Sequence, residues 1–384
     1  MIDFEIGLIL AFFSLVGIYI LRERKSVEFK YGIVIKRWKN VKNIDVFIKR
    51  NEKILRIIGV VGIVVGIIAS LYGFYILFSL TLKREAAVGI LLPTVKGVSL
   101  PKPFIGIDFL YWLPSIFILL FFHEGMHAIF ARLAKIRIKD YGIILFFVLP
   151  LGAFVNIDER KIKKLNLERK LAIYSSGSFG NLIVSLIMIC LVILSSHILN
   201  LFIEPIGLNY QIIENTSAQK YGLEGMITKI DEKEIKTISQ LIEALSEKKP
   251  GDEITIETNV STFEIVLQSS PENKSKPFIG IKNIQSVFIN KLNGKVVSQK
   301  IIRLLGSFFN LTSWIFVINL SVGIANLLPL KPFDGGYIYE EILKKILGEK
   351  IGKQVAELLA ILTILLIILN LNFGIQNFLR TIYG

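Results

Sequence analysis

Cysteine is almost missing from this chain of 384 residues: Cys190 stands alone in an apolar run, so no intrachain disulfide can brace the fold. Histidine is scarce too, and any histidine-based site must draw on three residues. Charged residues make up 20% of the chain and hydrophobic ones 53%, with a mean hydropathy of +0.60. Soluble domains hold about 45–50% apolar residues even with glycine counted, so an ordinary soluble fold is excluded. Acids are outnumbered, 31 against 45 basic residues, giving a net charge of +14. That excess does not point to nucleic acid, because the basic residues crowd between hydrophobic runs, as solvated cytoplasmic loops do. A basic leader is also lacking: the chain opens Met1-Ile2-Asp3-Phe4-Glu5 with no small-residue cleavage site after it, so the first apolar run is expected to remain as an anchor.

What is present is long apolar sequence. Runs able to cross a hydrocarbon core of roughly 30 Å occur at about 5–21, 57–82, 110–131, 171–199, 304–330 and 355–379. They predict a polytopic α-helical protein of about six transmembrane helices, multi-pass in the cell membrane, with the lipid bilayer as partner. Segment 22–56 carries twelve Lys/Arg against four acids and 132–170 carries ten against four, whereas 83–108 has four against two. By the positive-inside rule the first two are cytoplasmic, which puts both termini and region 201–290 outside and leaves 331–354 as a cytoplasmic loop.

Two apolar stretches do not read as spans. Residues 142–155 are β-rich but interrupted by Pro150 and Gly152, and predict a short strand or hairpin dipping into the inner side of the membrane. Residues 88–107 hold Pro93, Pro101 and Pro103 and predict a re-entrant or surface loop. Residues 210–268 alternate β-rich stretches with a helical pattern near Ile238–Leu245 and a Pro250-Gly251-Asp252 turn, which predicts a small extracytoplasmic α/β module.

The third run contains His123-Glu124-Gly125-Met126-His127. Residues four apart share a helix face, so both imidazoles can reach one zinc while Glu124 poises a water against it. Ionisable groups inside a membrane helix cost about 2.5–3.5 kcal/mol each on insertion scales, so their presence calls for a function. A catalytic zinc takes three protein ligands and leaves one position for water. His197 lies at the outer end of the fourth run, far in depth from His123. Asp334, in Asn326-Leu327-Leu328-Pro329-Leu330-Lys331-Pro332-Phe333-Asp334-Gly335-Gly336, can reach the right depth from a segment that the prolines break and the glycines turn. Asn181, Ser175, Ser176 and Ser178 of the fourth run are candidates to line a water path.

His123-Glu124-x-x-His127 followed by Asn326-x-x-Pro329-x-x-x-x-Asp334-Gly335 resembles the motif pair of the site-2 protease family of intramembrane zinc metalloproteases, archaeal type. Gly177-Ser178-Phe179-Gly180-Asn181 is similar to the family's glycine-to-asparagine stretch, although many members have Gly-Pro where Gly177-Ser178 stands. The resemblance implies His123, His127 and Asp334 as zinc ligands, Glu124 as the general base, Asn181 and Asn326 near substrate, and another protein's transmembrane helix as substrate. Asn215–Leu223 resembles part of a PDZ domain, but Met226 stands where an Asp usually follows the glycine. The expected organisation is a two-span region over 1–109, a first catalytic part over 110–200, a PDZ-like domain over 201–290 and a second catalytic part over 291–384. A cytoplasmic-domain metalloprotease would want a third ligand soon after the histidines. A membrane adaptor binding protein tails through the PDZ-like domain would not need Glu124.

Overall fold

The first apolar run folds as α1 (Phe4–Arg22) in the computed structural model, which describes residues 4–39, 44–95, 97–98, 100–271 and 273–383. A hairpin of β1 (Val27–Lys30) and β2 (Ile33–Trp38), a short α2 (Asp45–Arg50) and the long α3 (Glu52–Leu82) follow. Next come β3 (Ile90–Thr94), β4 (Phe104–Asp108), α4 (Phe109–Leu133), the hairpin β5 (Ile138–Phe146) and β6 (Leu149–Ile157), the single turn α5 (Glu159–Ile162), and α6 (Leu167–Phe202). A β-rich stretch holds β7 (Ile203–Ile212), α7 (Ser217–Lys220), β8 (Ile227–Ile230), β9 (Lys233–Glu234), α8 (Ile238–Ser246), β10 (Glu253–Thr258), β11 (Thr262–Val266), β12 (Gln268–Ser269), β13 (Pro277–Phe278) and β14 (Ile281–Asn290). The chain closes with α9 (Gln299–Ala325), α10 (Asp334–Leu347) and α11 (Glu349–Tyr383). It divides into two compact units, residues 1–191 with 310–384, and residues 192–309.

Among the described residues, five helices are long and apolar enough to cross a membrane: α3, α4, α6, α9 and α11. The first of the six expected runs forms the shorter α1. Leucines, isoleucines and tyrosines such as Leu71, Tyr75, Leu186, Ile187, Leu358 and Ile361 stand exposed on these helices, which a lipid solvent accommodates and water does not. Helices with no apolar solvent contrast between them pack through small residues. On α3 the buried series Gly59, Gly62, Gly66, Ser70 and Gly73 forms that seam. A Cβ at Gly62 would meet Phe179 of α6, one at Gly66 would meet Ser175, and one at Gly73 would meet Ile324 of α9.

The expected strand at 142–155 is the β5–β6 hairpin, and it does not stand alone. β2 pairs with β5 from Ile33↔Phe146 to Trp38↔Tyr141, giving a four-stranded antiparallel sheet in the order β1-β2-β5-β6. Segment 22–56, read as a basic loop, therefore supplies two strands: the alternating Ile33, Val34 and Ile35 outweigh the local charge, and Lys36 is buried against Glu23 and Ser26. The stretch 88–107 is not a bare loop either, since β3 and β4 pair in parallel from Ile90↔Phe104 to Thr94↔Asp108. The expected 331–354 loop folds as α10, whose Ile338 is buried while Lys344 and Lys345 occupy its last turn; a basic composition hid its helical period.

The second unit is organised on an antiparallel sheet in the order β11-β10-β8-β7-β14, with β9 on β8. Leu208, Ile227, Ile230, Ile254, Ile256 and Ile265 fill its core from the sheet, Leu267 from the link between β11 and β12, and Leu241 and Ala244 close it from α8. Thr237 and Gln240 form a capping box at the start of α8, satisfying donors the helix leaves open.

Candidate metal centre

His123 and His127 lie one turn apart on α4, and their Nε2 atoms approach to 3.3 Å. Asp334 is the first residue of α10, with Phe333 extended before it, rather than part of an irregular segment as the prolines and glycines suggested. A carboxylate is favoured at a helix N-terminus. Its Oδ1 lies 3.3 Å from His127 Nε2 and its Oδ2 lies 3.6 Å from His123 Nε2. The glycines after it serve close approach: a Cβ at Gly335 would run into the carbonyls of Leu327 and Leu328, and the Gly335 N–H donates to Asn326 O at 2.8 Å. Gly336 seats against the backbone of Leu330 and Lys331 in the same way.

The three ligand atoms fit zinc. Bonds of about 2.0–2.1 Å at tetrahedral angles separate neighbouring ligand atoms by roughly 3.3–3.4 Å. The His123 and His127 Nε2 atoms lie 3.3 Å apart, and Asp334 faces them with separate oxygens, Oδ1 at 3.3 Å from His127 and Oδ2 at 3.6 Å from His123, so the three side chains offer ligand atoms at spacings close to that separation. The outer partners suit it as well. His127 Nδ1 donates to Ile173 O at 2.9 Å, which leaves Nε2 bare for a metal. His123 Nδ1 faces the Asn181 carboxamide at 3.0 Å. For His123 to offer Nε2, its Nδ1 must carry hydrogen and Asn181 must turn Oδ1 toward it; in the opposite orientation that fully buried oxygen has no partner. Ser178 Oγ donates to Asp334 Oδ2 at 2.8 Å.

α6 supplies most of this support because its backbone lies directly beneath the imidazoles. A Cβ at Gly177 would strike His127 Nε2 and lie 2.9 Å from His123 Cε1. Glycine there is a condition of the site. One residue from His123, Glu124 accepts the Val155 N–H at Oε2, 2.8 Å away, so the outer strand β6 holds the carboxylate.

The candidate residues are therefore gathered as follows: His123, His127 and Asp334 form one cluster, Asn181 supports His123, and Asn326 holds the start of α10 through its carbonyl. The serines expected to line a water path do not line the cavity at the site. Ser175, Ser176 and Ser178 are buried to within 2%, and the cavity that reaches Glu124 and His127, about 760 Å³, is lined instead by groups including Lys163, Lys170, Tyr174, Lys331, Tyr337 and Glu341. Sequence reasoning missed the Val155 and Ile173 backbone groups, which no side chain advertises. It also missed Gly177 as a steric requirement, although a glycine at that place was in view.

The family model of peptidase family M50 matches residues 111–370 of this chain. An uncharacterised protein of Methanocaldococcus jannaschii is 26% identical over 354 residues, covering 89% of this chain and 87% of its own length. A Clostridium acetobutylicum protein bearing the name "putative zinc metalloprotease" is 23% identical over 296 residues, covering 61% of this chain and 86% of its own length.

Proposed function

Because the chain belongs to peptidase family M50, the site-2 protease family of membrane zinc metalloproteases, we propose that it hydrolyses peptide bonds within transmembrane segments of other membrane proteins. The observation that carries this reading is the His123–His127–Asp334 triangle, with Glu124 beside it, inside a bundle of apolar helices. His123, His127 and Asp334 are the zinc ligands of the proposal. Bound zinc supplies Lewis-acid polarisation of the scissile carbonyl and acidifies water. Glu124 receives the proton of the attacking water and returns it to the leaving amine nitrogen. With Oε2 engaged by Val155, its Oε1 is the oxygen left for that proton. Asn181 holds His123 in the metal-ready tautomer, and Asn326 stands at the turn into α10 beside substrate.

A helical substrate hides its peptide bonds in its own hydrogen bonds and must open first. β6 is the outer strand of its sheet and contacts Glu124, so an unwound substrate segment pairing along β6 would recover backbone hydrogen bonds next to the base. The cavity that reaches Glu124 is lined by charged side chains such as Lys163, Lys170 and Glu341, which supports a hydrolytic site in an otherwise apolar bundle. The sheet unit is the PDZ-like, extracytoplasmic part of the proposal, and the protein is multi-pass in the cell membrane.

The test measures zinc content together with cleavage of a single-span substrate by detergent-purified protein. Wild type is expected to hold one zinc and cut within the span. Glu124→Gln should keep the metal and lose roughly 10²–10⁴-fold in rate, the usual worth of a general base, and Asp334→Asn should bind zinc weakly. Cleavage by Glu124→Gln at the native rate would end the mechanism.

A further inference from the structure

Two of the proposed zinc ligands share α4, but Asp334 comes from α10, so its reach depends on how α10 sits on α6. The two helices meet through three consecutive rungs. Lys170 Nζ lies 2.7 Å from Glu341 Oε2, the Tyr174 and Tyr337 rings stack at 5.1 Å with 20° between planes, and Ser178 Oγ donates to Asp334 Oδ2 at 2.8 Å. On α6 the rungs fall at i, i+4 and i+8, and on α10 at i, i+3 and i+7. Each series is one helix face, and the order runs antiparallel, with the last rung on the carboxylate itself.

The seating of Gly335 and Gly336 against residues 327–331 fixes where α10 starts, buried Ile338 packs with Leu171 and Leu327, and Gly352 of α11 lies against the backbone of Leu343 and Lys344. What the rungs add is the polar register of α10 against α6. The Lys170–Glu341 rung lies two turns from Asp334 on the face that meets α6. Both side chains are largely buried, at 14% and 17% exposure, so each depends on the other as counter-ion. Lys331, whose Nζ stands 4.9 Å over the Tyr337 ring, backs the middle rung.

We propose that this ladder is the positioning device for the third zinc ligand: Lys170 and Glu341, which do not touch the metal, orient α10 so that the Asp334 carboxylate meets His123 and His127, and thereby set the affinity for zinc. The proposal rests on the reading of Asp334 as a ligand. It differs from simple helix adhesion in its consequence, since loss of the outer rung acts on metal affinity and coordination rather than on stability alone.

The experiment uses the full-length protein in detergent and measures zinc affinity by competition with a chromophoric chelator, together with the visible spectrum of the cobalt-substituted protein. Lys170→Met and Glu341→Gln are each expected to weaken zinc by about 10–100-fold, the range for losing a metal site's outer partners, and to lower the cobalt absorption of a tetrahedral site. The exchanged pair, Lys170→Glu with Glu341→Lys, should return both toward native values. Native affinity in both single variants would overturn the ladder, and so would an exchanged pair as weak as the singles. Asp334→Asn is run beside them. If it alone loses zinc, the ladder fails and the ligand reading stands; if it binds zinc like the native chain, the ligand reading fails first.

Discussion

Gly177 shows how much of the site is decided by one missing carbon. Its Cα lies under both imidazoles, and a methyl group there would occupy the place of His127 Nε2, the atom proposed to bind metal. Neither neighbour can retreat easily, because His127 is held by Ile173 O and His123 by Asn181. Gly177→Ala is therefore expected to weaken zinc by about 10–100-fold, as disturbance of ligand-orienting groups does. Gly125→Ala is the control, since a Cβ at Gly125 meets nothing within 4 Å. Chelator competition on both variants decides: equal, native-like affinities would mean that the imidazoles shift freely and that the close approach has no part in metal binding.

At the scale of elements, β6 makes a prediction of its own. The Val155 N–H points to Glu124, away from β5, and strand alternation puts the Ala153 N–H on the same open edge. Ala153→Pro removes that donor without removing a β5–β6 ladder bond, so cleavage of a transmembrane substrate should fall while zinc affinity stays native. Unchanged cleavage would remove strand pairing along β6. This edge was only half legible in the sequence. The β-rich run broken by Pro150 and Gly152 marked the hairpin, but which strand lies outside depends on β2 pairing with β5 across more than a hundred residues, and no local pattern carries that. α10 was illegible for a different reason, because Lys344, Lys345 and Lys350 gave its neighbourhood the composition of a loop. The histidine pair of the proposed metal site was the most legible part, since a four-residue spacing on a helix is local geometry, whereas Asp334 joins it only through the fold; the contacts of Ser178, Ile173 and Val155 that orient the site arise only from packing.

For the whole molecule the charge distribution predicts a sidedness that can be checked. Ten basic residues against four acids over 132–170 give the expectation that this segment is cytoplasmic, and a single crossing by α6 would then put the sheet unit outside. The cavity that reaches Glu124 carries Lys163, Glu159 and Lys170 on its wall, so the same expectation has the site open toward the cytoplasm. Cys190 is the single native thiol, and replacing it by serine gives a background for introduced cysteines. In intact cells a membrane-impermeant maleimide is expected to label Ser275→Cys in the sheet unit and to leave Lys164→Cys unlabelled until the cells are opened. Labelling of both positions from outside would contradict a single crossing by α6. Labelling of Lys164→Cys alone would invert the molecule, put the charged cavity on the external face, and send the products of the proposed cleavage to the opposite side of the membrane.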